Sequence, residues 1–150
     1  MPENSVDQNV FKLNIATGEI SKFGPQEDAR YQSFALLKDG QGGYVLSDLG
    51  EETLYISKFS FERPEELQKI RHVHEWDIEE IKLSPDEQKL VYTVNEGGIY
   101  KVFILDLNTN EEKEIQKLPK GVINSISWLN HDQFICSVNT PTCPGDIWKY

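Results

Sequence analysis

The chain has 150 residues, of which 38% are hydrophobic and 11% aromatic, and this composition is ordinary for a single folded domain. Fifteen lysine and arginine residues against 25 aspartate and glutamate residues give a net charge of -10. Such an acidic surface repels phosphate backbones and anionic lipid, so the composition argues against disorder, nucleic-acid binding and membrane association.

The chain begins with MPENSVDQ, which has neither the cationic nor the apolar region of a secretion signal. We therefore expect residues 1–8 to be a disordered lead and the protein to be cytoplasmic. The two cysteines, Cys136 and Cys143, are too few for a disulfide framework, and their spacing fits no usual zinc pattern. Neither a metal nor a cofactor is expected.

Beyond residue 8, apolar runs of about five residues alternate with turns rich in Pro, Gly, Asn and Asp. This alternation predicts short antiparallel strands throughout. The strands fall into four groups: two over 9–24, four over 31–71, four over 78–118 and three over 122–150.

The strand groups are copies of one another. VFILDLNTNE, which starts at Val102, matches VFKLNIATGE, which starts 92 positions earlier at Val10. Ile56 lies midway, and the first strands repeat from Tyr31 to Ile78 and again to Ile123. A four-stranded unit that repeats every 45 to 47 residues is typical of a β-propeller blade. The predicted fold is therefore all-β, a partial β-propeller of about three four-stranded antiparallel blades.

Three blades are fewer than the four to eight that close a propeller. An open arc leaves apolar blade faces in water, which favours association. We therefore expect either that the chain is a piece of a longer protein or that a homodimer completes a six-bladed ring.

In a propeller, the loops between second and third strands lie at the same end as the links between blades, and that end is the default binding surface. The loops between strands are 48–52, 95–98 and 139–145, and the links are 24–30, 72–77 and 119–121. The candidate contact residues on these segments are Asn139, Thr140, Thr142, Cys143, His72 and His74.

No catalytic constellation is found in the sequence. A G-x-S-x-G elbow is absent, so the chain lacks the nucleophile of a typical α/β-hydrolase. His72 and His74 form an H-x-H pair, but without a clear third ligand we expect solvated surface rather than a metal site. The chain alone is predicted not to be an enzyme.

Two segments resemble a known family. SPDEQKLVYTV followed by VFILDLNTNE is similar to the WD40-like, TolB-type blade repeat, which also forms the N-terminal propeller of prolyl oligopeptidase family serine peptidases. Glu87 stands where that repeat usually has glycine, although Asp39 and Gly40 keep the Asp-Gly pair in the preceding blade. The Gly-His and Trp-Asp pairs of true WD40 repeats are missing. PTCPGDIWKY, at 141–150, resembles the segment in the last blade of such peptidases, shortly before their catalytic domain.

The resemblance implies a noncatalytic propeller fragment of a prolyl oligopeptidase-like serine peptidase. In that family the propeller caps the active site of an α/β-hydrolase domain and limits access to short peptides. The implied partners are that catalytic domain in the parent chain and, indirectly, peptide substrates. No member of the catalytic triad can be assigned to a residue of this sequence.

The alternative is a TolB-like binding propeller that acts as a protein-interaction platform without enzyme activity. A metal-dependent or carbohydrate-active propeller is a third reading, which the lack of a ligand cluster disfavours. The first two readings are distinguished by whether a hydrolase domain follows residue 150.

Overall fold

The structure is a computed structural model that describes residues 10–73 and 75–150. Thirteen strands are found in these residues, and none of the described residues is helical. The expected lead over 1–8 lies outside the described residues. No described helix is long and apolar enough to cross a membrane. The strands are β1 Val10–Leu13, β2 Ile20–Phe23, β3 Tyr31–Leu36, β4 Gly42–Ser47, β5 Tyr55–Ser60, β6 Gln68–Arg71, β7 Ile78–Leu83, β8 Lys89–Glu96, β9 Ile99–Asp106, β10 Glu112–Glu114, β11 Val122–Trp128, β12 Phe134–Asn139 and β13 Asp146–Lys149.

The strands form four antiparallel sheets in which each strand pairs with its neighbours in sequence. We call them the half blade (β1-β2), the first full blade (β3-β4-β5-β6), the second full blade (β7-β8-β9-β10) and the last blade (β11-β12-β13). Meanders of this kind are the blades of a propeller, so the predicted all-β partial propeller is confirmed. The chain divides into two compact units, Met1–Glu75 and Trp76–Tyr150.

The second strand is the most buried strand of each full blade. All six residues of β4 are buried, and five consecutive residues in the middle of β8 are buried. These strands are rich in β-branched and aromatic residues, which suit a sheet buried on both faces. Tyr92 is buried in β8, stacks on Phe103 at 5.1 Å between ring centroids, and donates its hydroxyl hydrogen to Glu112.

A β-bulge recurs near the start of each blade's first strand. The register shifts between Gln32 and Phe34, between Ile78 and Glu80, and between Ile123 and Ser125. Each shift leaves one extra residue, namely Ser33, Glu79 and Asn124, and these are spaced like the sequence repeat. A bulge turns the strand and increases its twist. The repeat therefore includes a backbone irregularity that alternation of apolar residues does not predict.

The turn after each third strand is closed by a side chain at an equivalent position. Asn14 Oδ1 accepts the amide of Ala16 at 3.0 Å, and Asp106 Oδ1 accepts the amides of Asn108 at 2.9 Å and Thr109 at 3.0 Å. Ser60, midway between them, accepts the amide of Glu62 at 3.2 Å. These backbone bonds hold the pKa of Asp106 below its usual value.

Each unit packs its two sheets around an apolar core. In the first unit Phe23 of the half blade meets Phe59 of the first full blade edge to face, with ring centroids 4.8 Å apart. In the second unit, the core cluster joins Val91 and Val102 of the second full blade to Phe134 of the last blade. Phe23 and Phe134 therefore each anchor an incomplete blade to a complete one.

Two strand boundaries differ from those expected. Strand β8 continues through Asn95 and Glu96, and the reversal before β9 is made by Gly97 and Gly98 alone, both at positive φ. Strand β10 ends at Glu114, because the chain turns after the buried Ile115. The expected strand over 113–118 is therefore too long.

Glu87 occupies a backbone conformation that favours glycine. Its φ is 60°, and Gly40 at the corresponding turn of the preceding blade has a φ of 68°. A left-handed residue with a Cβ costs about 1 to 2 kcal/mol, part of which is offset because glycine loses more entropy on folding. We expect Glu87→Gly to raise the free energy of unfolding by roughly 0.5 to 1 kcal/mol in urea denaturation.

Gly40→Ala is the matched control, because nothing lies within 4 Å of a Cβ built on Gly40 and backbone strain is the only cost. We expect it to destabilise the chain by roughly 1 kcal/mol. Equal effects of the two substitutions would contradict this reading of the turns.

Candidate functional site

An open pocket of about 650 Å³ lies in the first unit, at the loop end that the sequence predicts. Its walls come from the link before β3, from the loop between β4 and β5, and from the residue after β6. The lining residues are Asp28, Ala29, Asp48, Gly50, Glu51, Glu52, Thr53 and His72. We call this the acidic pocket.

Asp48 connects two walls of the acidic pocket. Its Oδ1 accepts the backbone amide of Arg30 at 2.7 Å, and its Oδ2 pairs with Nε of the same arginine at 2.6 Å. The two side chains are only 29% and 17% exposed, so this contact is screened less than a surface ion pair. Asp48 thus fixes the link to the loop between β4 and β5.

Glu51, Lys69 and His72 form a second polar group in the same wall. Glu51 pairs with Lys69, whose Nζ lies 4.5 Å from the centre of the Tyr55 ring. His72 is only 7% exposed in its side chain, and its Nε2 lies 2.8 Å from the Thr53 hydroxyl oxygen. Its Nδ1 lies 4.0 Å from a carboxylate oxygen of Glu51.

Tyr55 supports this group from beneath. Its ring centroid is 5.4 Å from that of His72, and its hydroxyl donates to the carbonyl of Leu49 at 2.7 Å. Burial raises the pKa of Tyr55, so the hydroxyl stays protonated and keeps this hydrogen bond at neutral pH.

The charge of the acidic pocket limits what it can hold. Four carboxylates line it, and only two cations, Arg30 and Lys69, pair with them. An anionic group is therefore repelled, while a cationic group is attracted. The lining contains neither serine nor cysteine, and no group of three or more His, Cys, Asp or Glu side chains within the described ranges is arranged to hold a metal ion.

The second unit contains the predicted loop over 139–145, and this loop closes on itself. Asn139 Oδ1 accepts the amide of Gly145 at 2.6 Å, while the amide of Thr140 donates to the carbonyl of Cys143 at 3.1 Å. The amide of Cys143 donates back to the Thr140 hydroxyl at 3.0 Å, and the hydroxyl of Thr142 lies 3.5 Å from that of Thr140. Most of the loop's polar groups are thus used internally.

The thiol of Cys143 is exposed but is not activated. A hydrogen bond to Asp146, together with the negative charge of that carboxylate, raises the pKa of the Cys143 thiol. The thiolate is the reactive form of cysteine, so a raised pKa lowers reactivity at neutral pH.

The structure thus places the six candidate residues in two units. Asn139, Thr140, Thr142 and Cys143 share one loop of the second unit, and His72 lines the acidic pocket of the first. His74 lies outside the described residues, so the H-x-H pair stays a prediction.

Sequence analysis named the segments 24–30 and 48–52 but none of the carboxylates within them. Asp48 was detectable, because it follows the last residue of β4 just as Asn95 and Asn139 follow the equivalent positions of β8 and β12. The two asparagines accept amides within their own loops, whereas Asp48 binds the link. An aspartate in a position held twice by asparagine was the available signal.

The fold is similar to that of solved propeller proteins. Prolyl oligopeptidase B from Galerina marginata, as the apo protein, matches 100% of this chain with a TM-score of 0.78 at 11% identity. A structure from a study of two prolyl endopeptidases matches 96% of it with a TM-score of 0.77 at 15% identity. Hydrazine synthase of Kuenenia stuttgartiensis matches 90% with a TM-score of 0.63 at 14% identity.

The chain spans 22%, 21% and 37% of the lengths of these three proteins, in the same order. No protein-family model and no curated protein matches it in sequence. At these identities the likeness establishes the fold.

Asp48→Ala tests the role of the Arg30 contact. The substitution leaves a half-buried guanidinium and a backbone amide without their acceptor, so we expect a loss of about 1 to 2 kcal/mol in the free energy of unfolding. Asp28→Ala, at an exposed carboxylate of the same pocket, should change it by less than about 0.5 kcal/mol. Chemical denaturation monitored by tryptophan fluorescence measures both. Equal losses would mean that Asp48 has no special structural role.

Cys143 offers a test of the loop geometry. Asp146→Asn removes the charge that raises the thiol pKa, so a larger thiolate fraction should form at pH 8 and alkylation by iodoacetamide should be faster. Mass spectrometry of the labelled chain gives the rate. Thr142→Ala, which leaves Asp146 in place, is the control. An unchanged rate in Asp146→Asn would contradict the thiol–carboxylate contact.

Proposed function

We propose that this chain is the noncatalytic propeller part of a prolyl oligopeptidase-like serine peptidase. In the parent protein an α/β-hydrolase domain carries the catalytic residues, and the propeller caps that site and limits access to short peptides. The chain contributes no nucleophile, and its role is to gate the entry of substrate.

One observation carries the proposal. The two prolyl peptidase structures match essentially the whole chain with TM-scores of 0.78 and 0.77, whereas hydrazine synthase matches less of it at 0.63. The segment 141–150, which resembles the last propeller blade of this family, supports the same choice from the sequence. The study of the two prolyl endopeptidases gives inter-domain dynamics a role in catalysis and specificity, as expected where a separate domain gates the site.

The acidic pocket fits a gating role better than a catalytic one. Its carboxylates are held by Arg30 and Lys69, and no serine or cysteine lines it. An acidic rim at the loop end of a propeller would favour peptides with a free ammonium group over anionic ones. The proposal includes a cytoplasmic location, which fractionation of the source cell tests.

The polypeptide's intact mass in its source cell tests the proposal. An antibody to this chain, followed by mass spectrometry, should isolate a species far heavier than 17.3 kDa whose extra sequence after residue 150 contains a G-x-S-x-G elbow. A heavier species without such an elbow, or one of 17.3 kDa, would contradict it. Either result would favour the TolB-like platform for protein partners.

The purified chain should not hydrolyse an aminoacyl chromogenic substrate above the buffer rate. The expectation follows because no described residue lies in a nucleophile, base and oxyanion arrangement. The parent with its elbow serine changed to alanine is the control for contaminating peptidases. Hydrolysis by the pure chain that survives repurification would overturn the noncatalytic assignment.

A further inference from the structure

Two strands of this chain have an open edge. Within 10–73 and 75–150, β1 pairs only with β2, and β13 pairs only with β12. Both strands expose large apolar side chains, since Phe11 is 58% exposed and Ile147 is 75% exposed. Open edges with exposed apolar residues are templates for pairing with another strand.

An apolar groove of about 200 Å³ runs beside the open edge of β1. It is lined by Val10, Phe11, Lys12, Phe23, Phe34, Leu36 and Phe61. In the two full blades, the place beside the third strand is taken by the buried second strands β4 and β8. The groove is therefore shaped for a strand, and its walls select apolar side chains.

The backbone groups at the two edges can be assigned from the hydrogen-bond pattern. The amide of Asn14 donates to the carbonyl of Glu19 across the half blade, and hydrogen-bonded pairs alternate along an antiparallel ladder. The backbone groups of Phe11 and Leu13 therefore point to the open side of β1.

The same reasoning applies to the last blade. Phe134 and Tyr150 exchange both backbone hydrogen bonds, at 3.1 Å and 2.9 Å, so the groups of Tyr150 and Trp148 point to β12. The backbone groups of Ile147 and Lys149 point outward. Each edge thus presents one free donor and acceptor at every second residue.

We propose that β13 of one copy of this chain adds antiparallel to β1 of a second copy, with Phe11 opposite Ile147. This register pairs outward backbone groups with outward backbone groups, which a shift by one residue would not do. It also places the two exposed apolar side chains opposite each other on one face, where each shields the other from water.

The side chains flanking this pair agree with the register. Lys12 lies opposite Asp146, and neither residue makes an ion pair with another described residue. Val10 lies opposite Trp148, which is 39% exposed, on the face where the groove holds Phe34 and Leu36. A shift by two residues would instead place Lys149 opposite Phe11, beside Lys22 on β2.

A second copy is the occupant because this chain carries both complementary edges. The half blade has Lys12 and Lys22 on its strands in an otherwise acidic chain, while the end of β13 that meets Lys12 begins with Asp146. The result is a continuous five-stranded sheet, β2-β1 of one copy and β13-β12-β11 of the other. One face keeps the core contacts of Phe23 in one copy and of Cys136 in the other.

Sedimentation velocity over a range of concentrations tests the proposal. The wild-type chain should show a weight-average mass that rises above 17.3 kDa with concentration. Lys12→Glu or Asp146→Lys alone should weaken association roughly fivefold, because each places like charges opposite each other. The double variant, with both charges reversed, should restore it.

Two exposed substitutions away from the junction are the matched controls. Lys22→Glu changes the same charge on the neighbouring strand β2, and Glu65→Lys changes an exposed acid in the loop before β6. Neither should alter the concentration dependence. A chain that stays at 17.3 kDa throughout, or association that ignores the charge of Lys12 and Asp146, would overturn the proposal.

Disulfide trapping tests the register itself. Directly opposite residues in a hydrogen-bonded pair have Cα atoms about 5.5 Å apart, which suits a disulfide. Phe11→Cys and Ile147→Cys, carried on separate chains that also have Cys143→Ser, should cross-link when mixed under mild oxidation. Ile20→Cys, on β2 away from the edge, should not cross-link with Ile147→Cys. Equal yields from the two mixtures would contradict the register.

Discussion

The structure depends on the burial of each full blade's second strand. Leu90, Val91 and Tyr92 of β8 are fully buried, as are Val45 and Leu46 of β4. A strand covered on both faces must be apolar at successive positions, and it holds the first and third strands in register on either side. The exposed turns and the loops at the binding end are positioned by this pairing.

The repeat then explains both the common features and the differences among the blades. The bulge in the first strand and the side-chain cap after the third strand recur at the same interval. Function is concentrated where the copies differ, because a difference must answer to something other than the fold. Asp48 is the main example, since the equivalent asparagines close their own loops while the aspartate reaches Arg30 and forms the wall of the acidic pocket.

The sequence was sufficient to predict the strands, their order and the propeller class, because period-two alternation and turn residues record which faces are buried. It was insufficient for features that depend on tertiary packing. The bulge at Ser33 leaves no apolar signal, and β10 ends early because Ile115 turns into the core. The acidic pocket needs residues from three segments, and only His72 among its lining was named in advance.

Amide hydrogen exchange, resolved by residue with NMR at a concentration where the chain is monomeric, tests the partial propeller most directly. Exchange is slowest where a hydrogen bond opens only on global unfolding. The account predicts the slowest exchange at Val91 and its neighbours in β8 and in β4, and fast exchange at Phe11 and Ile147 on the open edges. Fast exchange throughout β8, or protection of Phe11 equal to that of Val91, would contradict it.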